Sequence, residues 1–360
     1  MKLKGGARGA AIWFAVAIAL PFLPALFHRN GGGFTNFLAD AGAFVLLALG
    51  LNIVVGFAGL LDLGYAAFFA IGSYTFAMLA SPQFGIHIPF WVMLFVASGI
   101  AAIFGILLGA PTLRLRGDYL AIVTLGFGEI VPQTFQNLAQ FTGGPNGISS
   151  LDQPAIGAYK FGHAGGWLAG FDYYFMVLAL IAAAVWLANN MRNSRLGRAW
   201  MAIREDELAA AHMGINTTTT KLAAFAMGAS FSGLAGCAVA AKLQLVSPDE
   251  FGFNVSVFIL AMLVLGGMGN IPGVIAGSLI LSALERFILP QGTNFLHGIG
   301  LNVDLTGSRF LIYGVILVMM MLFRPEGLIP SRQRKAELHA ADTDAGAAAQ
   351  EQALYTEAVR

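Results

Sequence analysis

Long apolar runs, separated by short polar or glycine-rich segments, dominate this sequence. About 20 residues of apolar helix cross the hydrocarbon core of a bilayer, and backbone polar groups inside that core must be hydrogen-bonded within the protein. Ten runs qualify as transmembrane helices, at residues 10–27, 38–61, 63–80, 89–110, 119–137, 173–189, 222–241, 255–268, 271–289 and 305–323. The pattern therefore predicts an all-α polytopic membrane protein, a helical bundle of about 10 transmembrane helices.

The composition supports a lipid-covered surface. Hydrophobic residues make up 57% of the chain and charged residues 11%, where a soluble domain typically carries about 25% charged residues. The net charge of +1 argues against nucleic-acid binding, which requires a basic surface. Cys237 is the single cysteine, so no intramolecular disulfide forms, and no Cys/His spacing predicts a metal site.

Basic residues indicate the orientation of the chain. With the N-terminus inside and an even number of crossings, most Lys and Arg residues fall on the inner side, as the positive-inside rule requires. Both termini are therefore predicted to be cytoplasmic. The first run follows Lys2, Lys4 and Arg8, and we interpret it as a retained anchor rather than a cleaved signal peptide.

Three polar stretches complete the predicted organisation around a transmembrane domain at residues 1–330. Residues 140–172 are rich in Gly, Asn and Asp and predict a long structured external loop with a short interfacial helix. Residues 190–220 form the largest inward loop. Residues 331–360 are Ala-rich and charged without hydrophobic periodicity, which is typical of a mobile tail, here a cytoplasmic one.

Two glycine-rich segments in opposite halves of the chain share a pattern. Gly64 is followed eight residues later by Gly72, and Gly269 eight residues later by Gly277, which indicates an internal pseudo-repeat. Glycine-interrupted helices in corresponding positions of two halves are typical of transporter solute sites. The backbone candidates for a substrate pathway are Gly64, Tyr65, Gly266, Gly267 and Gly269.

Glu129 lies near the middle of an apolar run, where an ionised side chain costs roughly 2.5–3.5 kcal/mol. Gln133, Gln136 and Gln140 follow it on one helix face. This polar face predicts contact with protein or water rather than lipid. Glu129 either lines or gates a solute path or pairs with another helix, whereas for the glutamines we favour hydrogen bonding between helices.

Asp62 and a set of spaced glycines have structural interpretations. Asp62 separates two apolar runs, and it marks either a helix break or a solvated turn at the membrane surface. Glycines four residues apart let helix backbones approach closely in lipid. We assign this packing role to Gly105, Gly109, Gly269, Gly273 and Gly277.

The inward loop carries a dense group of charges. Four arginines precede three consecutive acids, and an alanine stretch then leads to Gly214, which predicts a short helix that ends at the glycine. The size and position of this loop suit docking of a cytosolic partner. The chain contains no Walker A pattern, so any ATP must be bound by another chain.

Several segments together resemble the permeases of branched-chain amino-acid ABC importers, of the LivM type. In the second half these are GRAWMAIREDELAAAHMGIN, LAAFAMGASFSGLAGCAVAA, SPDEF and LVLGGMGNIPGVIAGSL. In the first half they are GLNIVVGFAGLLDLGYAAFFAIGSY, RLRGDYLAIVTLGFGEI and TGGPNGIS. The resemblance covers roughly residues 50–281, with the segments in the same order and spacing.

This resemblance implies a non-enzymatic transport subunit in a bacterial inner membrane, surrounded by lipid. The subunit would move branched-chain amino acids inward by alternating access. Its implied partners are a second related permease, two ATP-binding cassette ATPase subunits and an external solute-binding protein. No cofactor is expected in this chain, because the partner ATPase subunits would bind ATP.

The resemblance also implies that residues 199–214 form the coupling helix that contacts an ATPase. Leu208 stands where importers generally carry a glutamate, and Pro132 stands where the family pattern has a basic residue. The positions that the resemblance assigns to coupling are Arg204, Glu205, Asp206, Glu207, Ala209, Ala210 and Gly214.

The same sequence features are compatible with other functions. Within the same importer family, the substrate could be urea, a short amide or another amino acid. A different class is an autonomous channel or an ion-driven secondary transporter, in which Glu129 would carry a coupling proton. A structural or regulatory membrane subunit would need the polar stripe only for helix packing.

Overall fold

A computed structural model of the chain describes residue 17 and residues 20–22, 31–112, 118–157, 159–162, 170–299 and 304–329. The predicted first span, at residues 10–27, and the predicted tail, at 331–360, lie outside these residues, apart from Ala17 and Leu20–Phe22. Within the described part, α-helices alternate with short connections. Strands are limited there to two-residue pairs, as an all-α fold requires.

The first half of the described chain contains five α-helices and two strand pairs. The helices are α1 (Gly31–Leu51), extended by a π-helical turn at Asn52–Phe57, α2 (Tyr65–Leu79), α3 (Phe90–Thr112), α4 (Asp118–Asn137) and α5 (Ala139–Thr142). β1 (Ala80–Ser81) pairs with β2 (Ile86–His87), and β3 (Ile148–Ser149) follows a 3-10 turn at Gly144–Asn146. β4 (Ala155–Ile156) pairs with β5 (Tyr159–Lys160).

The second half contains eight further α-helices among the described residues. They are α6 (Phe171–Asn193), α7 (Arg195–Glu205), α8 (Glu207–His212), α9 (Thr217–Leu243), α10 (Phe253–Gly266), α11 (Ile271–Ala283), α12 (Leu289–Gly298) and α13 (Arg309–Phe323). A π-helical turn at Leu284–Ile288 joins α11 to α12, and β6 (Leu245–Val246) precedes a 3-10 turn at Pro248–Phe251. β6 pairs with β3 and so ties the two halves together.

Helices of the expected type cover nine of the ten predicted runs, and six segments of the described chain are long and apolar enough to cross a membrane. These are Gly33–Phe57, Phe90–Thr112, Phe171–Asn193, Thr217–Leu243, Pro248–Gly266 and Ile271–Gly298. Tyr65–Leu79 and Arg309–Phe323 are shorter apolar helices. The prediction of a polytopic helical membrane protein is confirmed, while the number of crossings stays a prediction.

The core lies along α9, which packs against α2 and α3 through glycine. A Cβ atom on Gly72 would overlap the backbone of Gly233 in α9, and one on Gly105 would lie 2.8 Å from the Phe225 carbonyl oxygen. Helix backbones therefore approach more closely than any larger residue allows. This confirms the packing role predicted for the glycine stripes, with one correction: Gly269 lies in a connection rather than on a helix.

Candidate functional site

The first break in the helical bundle, residues 58–64, separates the π-helical turn from α2. Asp62 is buried within it, at 1% exposure, and its Oδ1 accepts a hydrogen bond from the Gly64 amide at 3.0 Å. The Leu63 amide donates to Thr124 Oγ1 of α4 at 3.1 Å. The helix break predicted at Asp62 is confirmed. The alternative of a solvated turn is wrong, because Asp62 is buried and the turn is hydrogen-bonded to α4.

Gly64 and Tyr65 begin α2 at the junction of three other helices. A Cβ atom on Gly64 would overlap the Thr124 carbonyl oxygen of α4. The Tyr65 hydroxyl donates to the Gly228 carbonyl of α9 at 2.9 Å, and the Ala66 amide donates to Ser256 Oγ of α10 at 3.0 Å. Side chains from other helices therefore satisfy the backbone groups that the break exposes.

The polar face of α4 is divided between an internal contact and the molecular surface. Gln136 Nε2 donates to Asp249 Oδ1 at 2.8 Å, which confirms the predicted hydrogen bonding between helices for this glutamine. Glu129, Gln133 and Gln140 are exposed. The other residues that the structure describes do not cover them, so they are available to water, to lipid or to a second protein.

The second break, residues 267–270, follows α10 and meets the π-helical turn of the first half. Gly267 and Gly269 adopt left-handed backbone conformations, with φ of +112° and +80°, which favour glycine. The Gly269 amide donates to Asn52 Oδ1 at 2.8 Å. The structure thus brings the second glycine segment against the helix end that leads into the first.

A segment near the C-terminus, residues 324–329, covers the other side of the second break. The Leu328 amide donates to the Leu265 carbonyl at 2.9 Å, and the Ile329 amide donates to the Gly266 carbonyl at 3.2 Å. Asn270 Nδ2 returns a hydrogen bond to the Ile329 carbonyl at 2.8 Å. The carbonyl of Gly266 and the amide of Gly269 are therefore engaged within the chain, and a role for them in binding a solute stays a prediction.

The charged loop at residues 190–220 forms two helices where the sequence predicts one. Asp206 ends α7 in an extended conformation, and its Oδ1 caps α8 by accepting from the amides of Leu208 and Ala209 at 2.8 and 3.0 Å. An aspartate in this position satisfies amides that a new helix leaves free, so it favours a restart. The predicted end at Gly214 is confirmed, because α8 stops just before this residue and its φ is +85°.

Three side chains fasten the α7–α8 pair to the bundle. Trp200 is fully buried, and its Nε1 donates to the Thr220 carbonyl of α9 at 2.7 Å. Lys221 Nζ lies 2.5 Å from Glu207 Oε1. Arg204 Nη1 donates to the Gly56 carbonyl in the π-helical turn at 2.6 Å. The pair is therefore held against both α9 and the end of α1.

The candidate coupling residues separate into an outer and an inner set. Arg204 and Glu207 contact the bundle, and Ala210 is buried at 4% exposure. Leu208 and Met213 add exposed apolar surface next to the outer set. The outer, solvent-exposed residues are Glu205, Asp206, Ala209 and Gly214.

The sequence pattern does not identify Trp200, Lys221 or Asn52 as functional residues. Lys221 precedes a long apolar run, where a basic residue usually indicates only which side of the membrane the helix end faces. Its side chain is nevertheless only 7% exposed. Asn52 is a polar residue inside a predicted span. Polar side chains in such positions usually bond to another helix, and that signal could have identified it.

The loop at residues 140–172 is folded in its described part, as predicted. It begins within the single-turn helix α5 and continues through β3, β4 and β5. Tyr159 donates to Asp172 Oδ2 at 2.9 Å, and this hydrogen bond raises the pKa of Tyr159 above its ordinary value. Trp91 Nε1 donates to the Ala155 carbonyl at 3.0 Å and ties the loop to α3.

Apolar helices interrupted by two glycine breaks, together with a helix pair anchored at one end of the bundle, are typical of a membrane transport subunit. The family model described as "Branched-chain amino acid transport system / permease component" matches residues 33–323. This chain therefore belongs to that permease family and is a multi-pass membrane protein. Membership in this family supports a transport role rather than an enzymatic one.

Curated relatives extend over most of the chain. A high-affinity branched-chain amino acid transport system permease protein LivM of Salmonella typhimurium is 39% identical over 340 residues, which cover 90% of this chain and 75% of the relative. LivM of Escherichia coli K12 is 41% identical over 312 residues, 82% of this chain and 69% of the relative. LivH of the same strain is 26% identical over 296 residues, 79% and 91% of the two chains. No solved structure matches significantly.

Proposed function

We propose that this chain is the membrane permease subunit of an ATP-driven importer that carries branched-chain amino acids inward by alternating access. The observation that carries this proposal is the α7–α8 pair. It is anchored by Trp200 and Lys221 and exposes acids and apolar side chains beyond the bundle. Such a pair can pass movement from a docked partner to the helices without any covalent chemistry.

The proposed complex contains this chain, a second related permease, two ATP-binding cassette ATPases and an external solute-binding protein. The similarity of this chain to both LivM and LivH of one organism supports a pair of related permeases. We infer that the complex lies in the bacterial inner membrane, with both termini and the α7–α8 pair on the cytosolic side. The ATPases bind and hydrolyse ATP there.

The substrate pathway is proposed to follow the exposed polar face of α4. An ionised Glu129 would be costly against lipid, so a water-filled path or the second permease is its favourable neighbour. Its carboxylate and the amide of Gln133 suit the charged groups of a zwitterionic amino acid. Gly128 packs against Gly64, since a Cβ there would lie 2.9 Å from the Gly64 Cα. Movement at the first break would therefore shift the turn that carries Glu129.

Alternating access requires two conformations whose relative free energies depend on the nucleotide state of the ATPases. Both glycine breaks contain residues with positive φ, Gly59 in the first and Gly267 and Gly269 in the second, and glycine adopts such conformations without a steric penalty. Closure of the ATPases would move the α7–α8 pair, and the breaks would absorb the change. The substrate would cross without being chemically altered.

Reconstitution of the complete complex tests this proposal. Vesicles containing both permeases and the ATPases on the lumenal side, with the binding protein outside, should accumulate labelled leucine only when the lumen holds hydrolysable ATP. Excess isoleucine and valine should compete, whereas urea and short amides should not. Uptake by this chain alone, driven by a proton gradient, would instead support an ion-coupled transporter.

A further inference from the structure

Two hydrogen bonds connect the α7–α8 pair to the second glycine break through one turn of helix. Arg204 Nη1 donates to the Gly56 carbonyl at 2.6 Å. Four residues earlier in the same π-helical turn, Asn52 Oδ1 accepts from the Gly269 amide at 2.8 Å. The turn at Asn52–Phe57 is thus bonded on one side to the cytosolic pair and on the other to the break.

The geometry of the turn explains why these partners are available. Carbonyls in the last turn of a helix lack intrahelical donors, and a cation near that end interacts favourably with the helix dipole. Gly56 lies one residue before the end of the turn. A Cβ atom on Gly56 would overlap Asn52 Oδ1 and lie 2.7 Å from the Gly269 amide nitrogen. The three residues therefore form one tightly packed contact, buried at Asn52 and Gly269.

The second break is the part of this contact whose backbone carries two glycines. Gly267 and Gly269 have positive φ, and the break is held on its far side by the hydrogen bonds of Leu328 and Ile329. Displacement of the Gly269 amide would therefore change how α10 meets residues 324–329. Small shifts at such a junction can switch a packed element between two arrangements.

The other attachments of the pair lead elsewhere. Trp200 bonds to the Thr220 carbonyl, and Glu207 pairs with Lys221. Both partners lie in the first turns of α9, so these contacts anchor the pair to the beginning of that central helix. Arg204, in contrast, donates to the Gly56 carbonyl in the π-helical turn.

We propose that Arg204 and Asn52 form a relay that links the position of the α7–α8 pair to the conformation of the second glycine break. Arg204 is then a positioning residue that acts through the Gly56 carbonyl rather than a contact for the ATPase. The proposal rests on the function proposed above, because the movement to be relayed comes from the ATPases.

The first test compares Arg204→Gln with Arg198→Gln in the reconstituted complex of permeases, ATPases and binding protein. Arg198 lies on the same helix and donates locally to the Asn193 carbonyl, so it is a matched control. Both variants should co-purify with the ATPases and hydrolyse ATP. Leucine transported per ATP should fall about tenfold in Arg204→Gln and stay near the parent value in Arg198→Gln. Equal coupling ratios in the two variants would overturn the relay.

A second test measures a conformational change at the second break directly. Cys237 is fully buried, so a cysteine introduced by Ile329→Cys, at an exposed side chain beside the break, serves as the reporter for a maleimide. Its labelling rate should differ between ATP-free and vanadate-trapped complexes. The Arg204→Gln change should abolish that difference, whereas a difference that persists would contradict the relay.

Asn52 variants decide the question if Arg204→Gln fails to insert. Asn52→Asp keeps an oxygen that can accept from the Gly269 amide, whereas Asn52→Leu removes it. Coupling should survive in the first variant and be lost in the second, and equal coupling in both would reject the relay.

If the parent complex shows no ATP-dependent uptake, the proposed function itself is wrong. If the parent complex transports leucine, and Arg204→Gln and Asn52→Leu transport as much leucine per ATP as the parent, only the relay is wrong.

Discussion

Lys221 and Glu207 form an ion pair, with Nζ 2.5 Å from Oε1, that joins the start of α9 to the first residue of α8. The lysine side chain is 7% exposed and the glutamate side chain 38% exposed. The resemblance to importer permeases assigns Glu207 to coupling, and its carboxylate points to the bundle in this structure. The pair therefore contributes to the position of α8, while the exposed side chain of Glu205 lies outside this contact.

Neutralising Glu207 should loosen α8. Glu207→Gln leaves the ammonium of Lys221 without its anion in a poorly solvated position, which should cost about 1–3 kcal/mol. The melting temperature of the detergent-solubilised protein should fall. Glu205→Gln, at an exposed neighbouring position, should leave the melting temperature unchanged, and a similar fall in both variants would contradict a specific role for the ion pair.

Trp200 should be the main anchor of α7. Replacement by alanine removes a fully buried indole and its hydrogen bond to the Thr220 carbonyl, and such truncations cost about 3–5 kcal/mol. Trp200→Phe retains most of the apolar contact and loses the hydrogen bond, at about 1 kcal/mol. Limited proteolysis within residues 190–220 should therefore be fast in the first variant and near parental in the second. Equal rates would argue against this anchoring.

Gly64 should not tolerate a methyl group. Gly64→Ala places a Cβ on the Thr124 carbonyl oxygen of α4, whereas Gly126→Ala, on α4 itself, meets open space. Overpacking of backbone against backbone typically costs about 1–3 kcal/mol or more. Thermal stability of the purified protein should drop for Gly64→Ala and stay unchanged for Gly126→Ala. An unchanged melting temperature for both would mean that the first break is loosely packed.

Glu129 should matter for transport and not for folding. Its side chain is exposed on the isolated chain, so Glu129→Leu should leave expression and melting temperature near parental values. Loss of a charge-assisted hydrogen bond to substrate or partner would lower leucine uptake about tenfold or more. Ile130→Ala is the control, because it shortens an exposed apolar side chain on the next residue. Parental uptake by Glu129→Leu would remove this residue from the pathway.

Hydrophobic spacing was sufficient to predict most helices of the bundle. The runs at 89–110 and 222–241 correspond to α3 and α9 with only small shifts at their ends, because apolar length alone determines what can cross a bilayer. The positions at which side chains cap and divide helices were harder to predict. The predicted helix in the inward loop is divided at Asp206, whose side chain competes for the amides of the next turn.

The order of apolar and polar residues was enough to predict the class of fold, the glycine-rich segments and the charged loop at residues 190–220, because apolar periodicity and composition are local properties. Three contacts became visible once the helices were packed together: Arg204 reaches Gly56, Asn52 meets Gly269, and Glu207 pairs with Lys221. The first two contacts join residues more than a hundred positions apart. Which residues meet in these contacts depends on how α1, α7, α9 and α10 pack together. A local sequence pattern does not contain that information.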